Sequence, residues 1–211
     1  MVERAGTASG PYSARHIPRR GYSFPDGREN SFGAALDNRR LSVVSLRESK
    51  TMQRDREPLI REIAAGDAPA LHAFYNSLDP FGKEMFHPMG QVAETDACEA
   101  VVRDLLSGRR YDLVVAREND ILGWAFVSEL GNEYPGLGIG LSEEVRGQGF
   151  GGKLLARLVE FVRRKGNRGI QLTVVRTNDR ARRLYERFGF EICGEHEGTD
   201  GLPYYRMRLE F

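Results

Sequence analysis

The chain has 211 residues, 40% of them hydrophobic, which is enough for one substantial core. No apolar run approaches the roughly 20 residues that cross a bilayer, and the amino terminus lacks the apolar stretch of a secretory signal, so a cytoplasmic location without membrane contact is expected. The net charge of +1 hides an asymmetry: ten Lys plus Arg stand against five Asp plus Glu through Arg54, and 21 against 25 beyond it, which leaves no broad basic field for nucleic acid on the folded part.

Residues 1 to 54 are rich in Gly, Ser, Arg and Asn and carry Pro11, Pro18 and Pro25 without a sustained period of 2 or 3.6, a composition that predicts a disordered, flexible tail. Leu41 to Leu46 has local strand character, and Met52, just before the first periodic segment, is a possible second start of translation. A single folded domain is expected over residues 55–211. It opens with a strand around Leu59, Arg61 and Ile63, followed by a helix with Asp67 as its cap and Pro69 in its first turn. Asp79 to Gly90, with Phe81, Met85, Phe86, His87 and Pro88, reads as an irregular loop folded over a pocket, and a helix over Glu94 to Leu106 follows.

Strands over Asp112 to Arg117 and Ile121 to Leu130 flank a Glu118-Asn119-Asp120 turn, the pattern of an antiparallel hairpin. Leu137 to Leu141 is a short apolar strand. A helix from about Lys153 to Lys165 gathers Leu154, Leu155, Leu158, Val159 and Val162 on one face and stops at Gly166. Ile170 to Val175 alternates as a strand. Asn178 or Asp179 caps a helix with Ala181, Leu184, Tyr185 and Phe188 at helical spacing, and Gly189 ends it. Two strands, Phe190 to Glu195 and Tyr204 to Glu210, close the chain around Thr199 to Pro203. This order predicts an α/β fold with a mixed sheet.

Cys98 and Cys193 stand far apart outside any metal-ligand spacing, and the four histidines form no i, i+4 pair, so neither a disulfide framework nor a metal site is expected. The chemistry concentrates instead at Arg146-Gly147-Gln148-Gly149-Phe150-Gly151-Gly152, between a strand and an amphipathic helix. Free amides at a helix start point outward at the positive end of the helix dipole, glycines admit an anion close to the backbone, and Arg146 adds a charge: a pyrophosphate suits such a place. Gly147, Gly149 and Gly152 also satisfy the Gly-x-Gly-x-x-Gly dinucleotide pattern by letter. That motif requires an opening βαβ unit and an acidic residue at the end of the next strand, where this chain has Val174-Val175-Arg176.

The glycine segment, its amphipathic helix, and Asn178-x-x-Ala181-x-x-x-Tyr185-Glu-Arg-Phe-Gly189-Phe190 on the next helix together resemble the GNAT superfamily of N-acetyltransferases. The likeness runs in element order from about Leu59 to Phe211 and is sharpest from Leu137 to Phe190. It implies a mixed, mostly antiparallel central sheet flanked by helices, with central strands that splay apart to admit the pantetheine arm of acetyl-CoA. By that resemblance the backbone of Ile139, Gly140 and Leu141 pairs with the pantetheine amides, and the amides of Gln148, Gly149, Phe150, Gly151 and Gly152 take the pyrophosphate. Asn178 touches the cosubstrate near its thioester, and Arg180 and Arg183 are candidates for its remaining phosphate. Tyr185 is the candidate general acid. Family enzymes often carry a glutamate base where this chain has Gly136, and Glu129 and Glu133 are the nearby substitutes.

The implied activity is direct transfer of an acetyl group from acetyl-CoA to a primary amine on a small molecule, peptide or protein, in a ternary complex without metal. An acyl-CoA sensor without turnover is the alternative, prompted by the missing carboxylate at Gly136. The acceptor pocket is expected among the early helices, Phe81 to Pro88, and the closing hairpin with Tyr204 and Tyr205. A homodimer is compatible with the fold.

Overall fold

In the computed structural model the described residues are 56–211. The expectations for the amino-terminal tail and for a start at Met52 lie outside them. The elements run β1 (Leu59–Glu62), α1 (Ala68–Asn76), α2 (Pro80–Met85), α3 (Thr95–Asp104), β2 (Arg110–Arg117), β3 (Asp120–Ser128), β4 (Gly136–Leu141), α4 (Phe150–Lys165), β5 (Gly169–Val175), α5 (Asp179–Arg187), β6 (Glu191–Glu197) and β7 (Pro203–Glu210). They build a seven-stranded sheet in the order β1-β2-β3-β4-β5-β7-β6. Only the β4–β5 pair is parallel, which gives the mixed, mostly antiparallel sheet that the resemblance implies. No helix among the described residues is long and apolar enough to cross a membrane.

Each face of the sheet has its own core. On one face α4 and α5 bury Leu154, Leu155, Leu158 and Val162 against Ala125, Val127, Ile170, Leu172 and Met207. On the other, α1 and α3 cover β1 to β3, with Leu71, Phe74 and Tyr75 packed beside Trp124. The deepest carboxylate beside the second core is Asp112, 1% exposed. It accepts from Trp124 Nε1 at 2.8 Å and from two nitrogens of Arg110 at 2.7 Å each, so the charge is fully partnered.

Two local expectations change. Asp67 stands at the start of α1, but its carboxylate accepts from the Ala64 amide (2.7 Å) and from Arg61 rather than from the helix, and the hydrogen bond from Arg61 keeps it ionised against the cost of burial. The stretch after Asp79 is not wholly irregular. Asp79 caps α2 by accepting from the Gly82 amide at 3.3 Å and Pro80 occupies the first turn, a start signal carried by the Asp-Pro pair.

Candidate active site

The site originates in a fault in the sheet. β4 and β5 share a single register pair, Gly136 with Gln171, next to a hydrogen bond from the Gln171 amide to Pro135 O at 3.1 Å. Beyond it the strands part, and a cavity of about 330 Å3 opens between Leu137 to Leu141 on one side and Thr173 and Val174 on the other. The parting leaves the β5-facing edge of Ile139, Gly140 and Leu141 without a strand partner, while their other edge is paired to β3.

The glycine segment closes one end of this cavity. Gly147 and Gly149 adopt φ of 88° and 85°, left-handed values that side chains resist, and these turns deliver the chain into α4. Helix α4 starts at Phe150, three residues before the expected Lys153, because the glycines themselves form its first turn. Among the described residues no acceptor engages the amides of Gly149, Phe150, Gly151 and Gly152. Gln148, exposed, is engaged locally: its amide reaches Val145 O at 3.5 Å and its side chain donates to Glu144 O at 2.7 Å. The cluster of open amides at the start of a 16-residue helix fits a diphosphate.

Arg146 is held by its Nε donating to Leu141 O (3.1 Å), by an ion pair with Asp79, and by the Phe81 ring at 5.5 Å. The hydrogen bond from Arg146 holds the Asp79 carboxyl below its ordinary range. This contact ties α2 to the glycine segment. A second tie joins the loop after α2 to the closing hairpin: His87 Nε2 lies 3.0 Å from Asp200 Oδ2 and 3.2 Å from the Tyr204 hydroxyl, which donates to Asp200 at 2.5 Å. Tyr205 faces the opposite side of the sheet, against Arg176.

Helix α5 supplies the third wall. The Asn178 carboxamide oxygen caps the helix by accepting from the Ala181 amide at 3.1 Å, and Asn178 lines the cavity. Tyr185 lines it too, 7% exposed, with its ring 5.7 Å from Phe190. Its hydroxyl makes no hydrogen bond to a described residue, and burial pushes its pKa upward, so it stays protonated. Arg180 and Arg187 reach the cavity, and a Cβ at Gly147 would meet Arg180 Nη2 at 3.0 Å. Arg183 is exposed and stands away from the cavity. Helical rotation explains the choice: seven residues bring Arg187 to about 20° from Arg180, whereas three leave Arg183 about 60° away. That periodicity was the available signal for Arg187.

Glu129 and Glu133 lie in the exposed β3–β4 connection, outside the cavity. Glu129, at φ 60°, accepts from Asn132 at 3.1 Å, and Glu133 pairs with Arg168 at 2.7 Å. Among the described residues no carboxylate or imidazole lines the cavity between the strands.

Residues 71–190 match the model of the acetyltransferase (GNAT) family, more than half of the chain. The chain belongs to that family. Among individual GNAT relatives it is 35% identical over 68 residues to the 5-NmdU N-acetyltransferase of Pseudomonas phage PaMx11, covering 32% of this chain and 46% of that protein. It is 37% identical over 79 residues to the uncharacterized N-acetyltransferase YycN of Bacillus subtilis (strain 168), covering 35% and 50%. The matched segments thus span half or less of these curated relatives. The fold is shared with a ribosomal-protein-alanine N-acetyltransferase from Brucella melitensis (TM-score 0.63, 23% identity, 72% of this chain and 99% of that one). It is also shared with a spermidine N-acetyltransferase from Vibrio cholerae crystallised with CoA and spermine (TM-score 0.61, 19% identity, 73% and 95%).

Proposed function

We propose that the protein transfers the acetyl group of acetyl-CoA to a primary amine by direct attack in a ternary complex. The observation that carries this reading is the cavity between the parted strands, which has open amides at one end and Tyr185 in its lining. Acetyl-CoA supplies an activated thioester. The amides of Gly149 to Gly152 receive its pyrophosphate, with Arg180 and Arg187, which line the cavity, as cationic support, while Arg183, outside it, is left for the remaining phosphate. The open edge of Ile139 to Leu141 hydrogen-bonds the pantetheine amides as a strand would. Asn178 orients the arm near its reactive end.

The amine nitrogen attacks the thioester carbonyl carbon, the new C–N bond forms and the C–S bond breaks. Tyr185 donates its proton to the departing sulfur, and the proton shed by the acylated nitrogen leaves through water and restores the phenol. Holding both reactants in one cavity supplies much of the acceleration. With no carboxylate or imidazole of the described residues lining the cavity, the amine arrives neutral, and Glu129 or Glu133 acts only through intervening water. The rate therefore rises with pH as the acceptor loses its proton. Tyr185, its pKa raised by burial, introduces no falling limb below about pH 10, the ordinary tyrosine value. Profiles for two acceptors of different amine pKa should show rising limbs displaced by that difference, whereas a limb fixed for both would reveal a base on the protein.

The deciding experiment is mass spectrometry of the full chain incubated with acetyl-CoA and pooled amines, with bound cosubstrate followed in the same samples. Acetylated product supports the transferase. The absence of a lining carboxylate favours one other reading, an acyl-CoA sensor, for which acetyl-CoA would bind without release of free thiol.

A further inference from the structure

Pairing register sorts the side chains of the α1–α3 face into rows. The first crosses the intact part of the sheet: Arg110, Ser128, Gly136, Gln171 and Arg208. The second is cut by the parting: Phe126 and Gly138 on one side, Thr173, Arg206 and Gly194 on the other. Helices α1 and α3 cover this face only over β1 to β3, so the rows from β4 onward stay open. Here lies a second cavity, of about 460 Å3, floored by Ser128, Gln171, Thr173 and Arg206. It shares Leu137 and Thr173 with the cavity between the strands, so the two meet where β4 and β5 separate.

Arg206 is the single charged residue lining that second cavity. The other arginines of the face are committed. Arg110 is bound to Asp112, and Arg208, whose Nε has no hydrogen-bond partner among the described residues, stacks 4.0 Å from the Tyr134 ring with Glu210 at 3.8 Å and lies outside the lining of this cavity. Arg206 is exposed and has no carboxylate partner among the described residues, and its guanidinium lies beside Gly194, which has no side chain to cover it. A guanidinium beside a cavity of mixed polar and apolar lining that holds no carboxylate selects an anion and repels a polycation. Resting on the transferase reading above, we infer that the acceptor is a small amine that also bears an anionic group, a carboxylate or a phosphate, and that Arg206 holds this group. Arg206 and Thr173 are directly opposed across the β5–β7 ladder, so amine and anion are separated by a few bonds and not by a long chain.

The test measures acetyl transfer by the full chain to free amino acids, their carboxamides, aminoalkyl phosphates and spermidine, with acetyl-CoA binding measured by calorimetry. Anionic acceptors should exceed their neutral counterparts in kcat/KM by about 10- to 100-fold, the weight of a charge-assisted contact. Amino acids and aminoalkyl phosphates, compared with each other, identify which anion is used. Arg206→Gln should raise KM for the anionic acceptor and collapse that ratio while acetyl-CoA affinity holds, and Arg206→Lys should restore part of it. A preference for spermidine or for carboxamides, an unchanged ratio in Arg206→Gln, or acetyl-CoA binding without transfer to any anionic amine would overturn the inference and leave the cosubstrate site standing. Failure of acetyl-CoA to bind would instead overturn the transferase reading, and this inference with it.

Discussion

The two faces of β4 differ completely. Leu137, Ile139 and Leu141 turn toward α4 and join the larger core, whereas Gly136, Gly138 and Gly140 face the opposite side, where the rings of Phe126 and Phe86 lie against the bare backbone. One face provides cohesion and the other provides room. A strand at the border of a functional cavity thus divides its duties by alternation, since its side chains point to opposite sides in turn.

The largest effect that breaks this contrast comes from the cohesive face. Leu158→Ala, in the fully buried row of α4, should cost about 2–5 kcal/mol in chemical denaturation through lost contacts and a residual cavity. Tyr185→Phe should lower kcat by about 100-fold or more while unfolding shifts by less than about 1 kcal/mol, because the hydroxyl has no partner in the described chain to lose. Unchanged turnover would leave Tyr185 as a packing aromatic.

On the glycine face, Gly140→Ala places a methyl group within the Phe86 ring and should cost about 1–3 kcal/mol. Combining it with Phe86→Leu should recover part of that loss in a double-mutant cycle, and strict additivity would argue against the contact. The smallest effect concerns the tie across the cavity. Asp79 is held below its unfolded pKa by Arg146, so its contribution is present above the ordinary carboxylate range and fades as pH falls through the lower folded value. Protection of the α2 amides against hydrogen exchange, taken relative to the intrinsic rate at each pH, should therefore fall in acid in the native protein, and Asp79→Asn should show the lower protection already at neutral pH, with little further change on acidification.

Most of the scaffold was legible because its signals are local. The Leu154 to Val162 stripe, the Asn178 cap and the Gly166 and Gly189 stops act within a few residues, and the observed boundaries follow them. The short helix α2 escaped because its six residues show too little period, although Asp79-Pro80 carried its start. The glycine alternation of β4 was visible as letters, but its purpose depends on rings brought in from Phe86 and Phe126 by tertiary packing. The parting of β4 and β5 came only through family resemblance, since no pattern within either strand encodes where a ladder stops. Arg206 escaped for a related reason: which arginine of a sheet face lacks a partner depends on β2, β5 and β7 together.

The parted strands create an edge in the middle of a sheet, and such an edge ordinarily invites another polypeptide strand. A peptide added there would project side chains alternately to both faces. On the α2 side the Phe86 ring already fills the space over Gly140, and on the other side α4 and α5 close over Leu137, Ile139 and Leu141. The gap is thereby a gauge of thickness: it favours a slender, unbranched arm bearing amides and turns away a chain with side chains, which also guards the sheet against aggregation through its own centre.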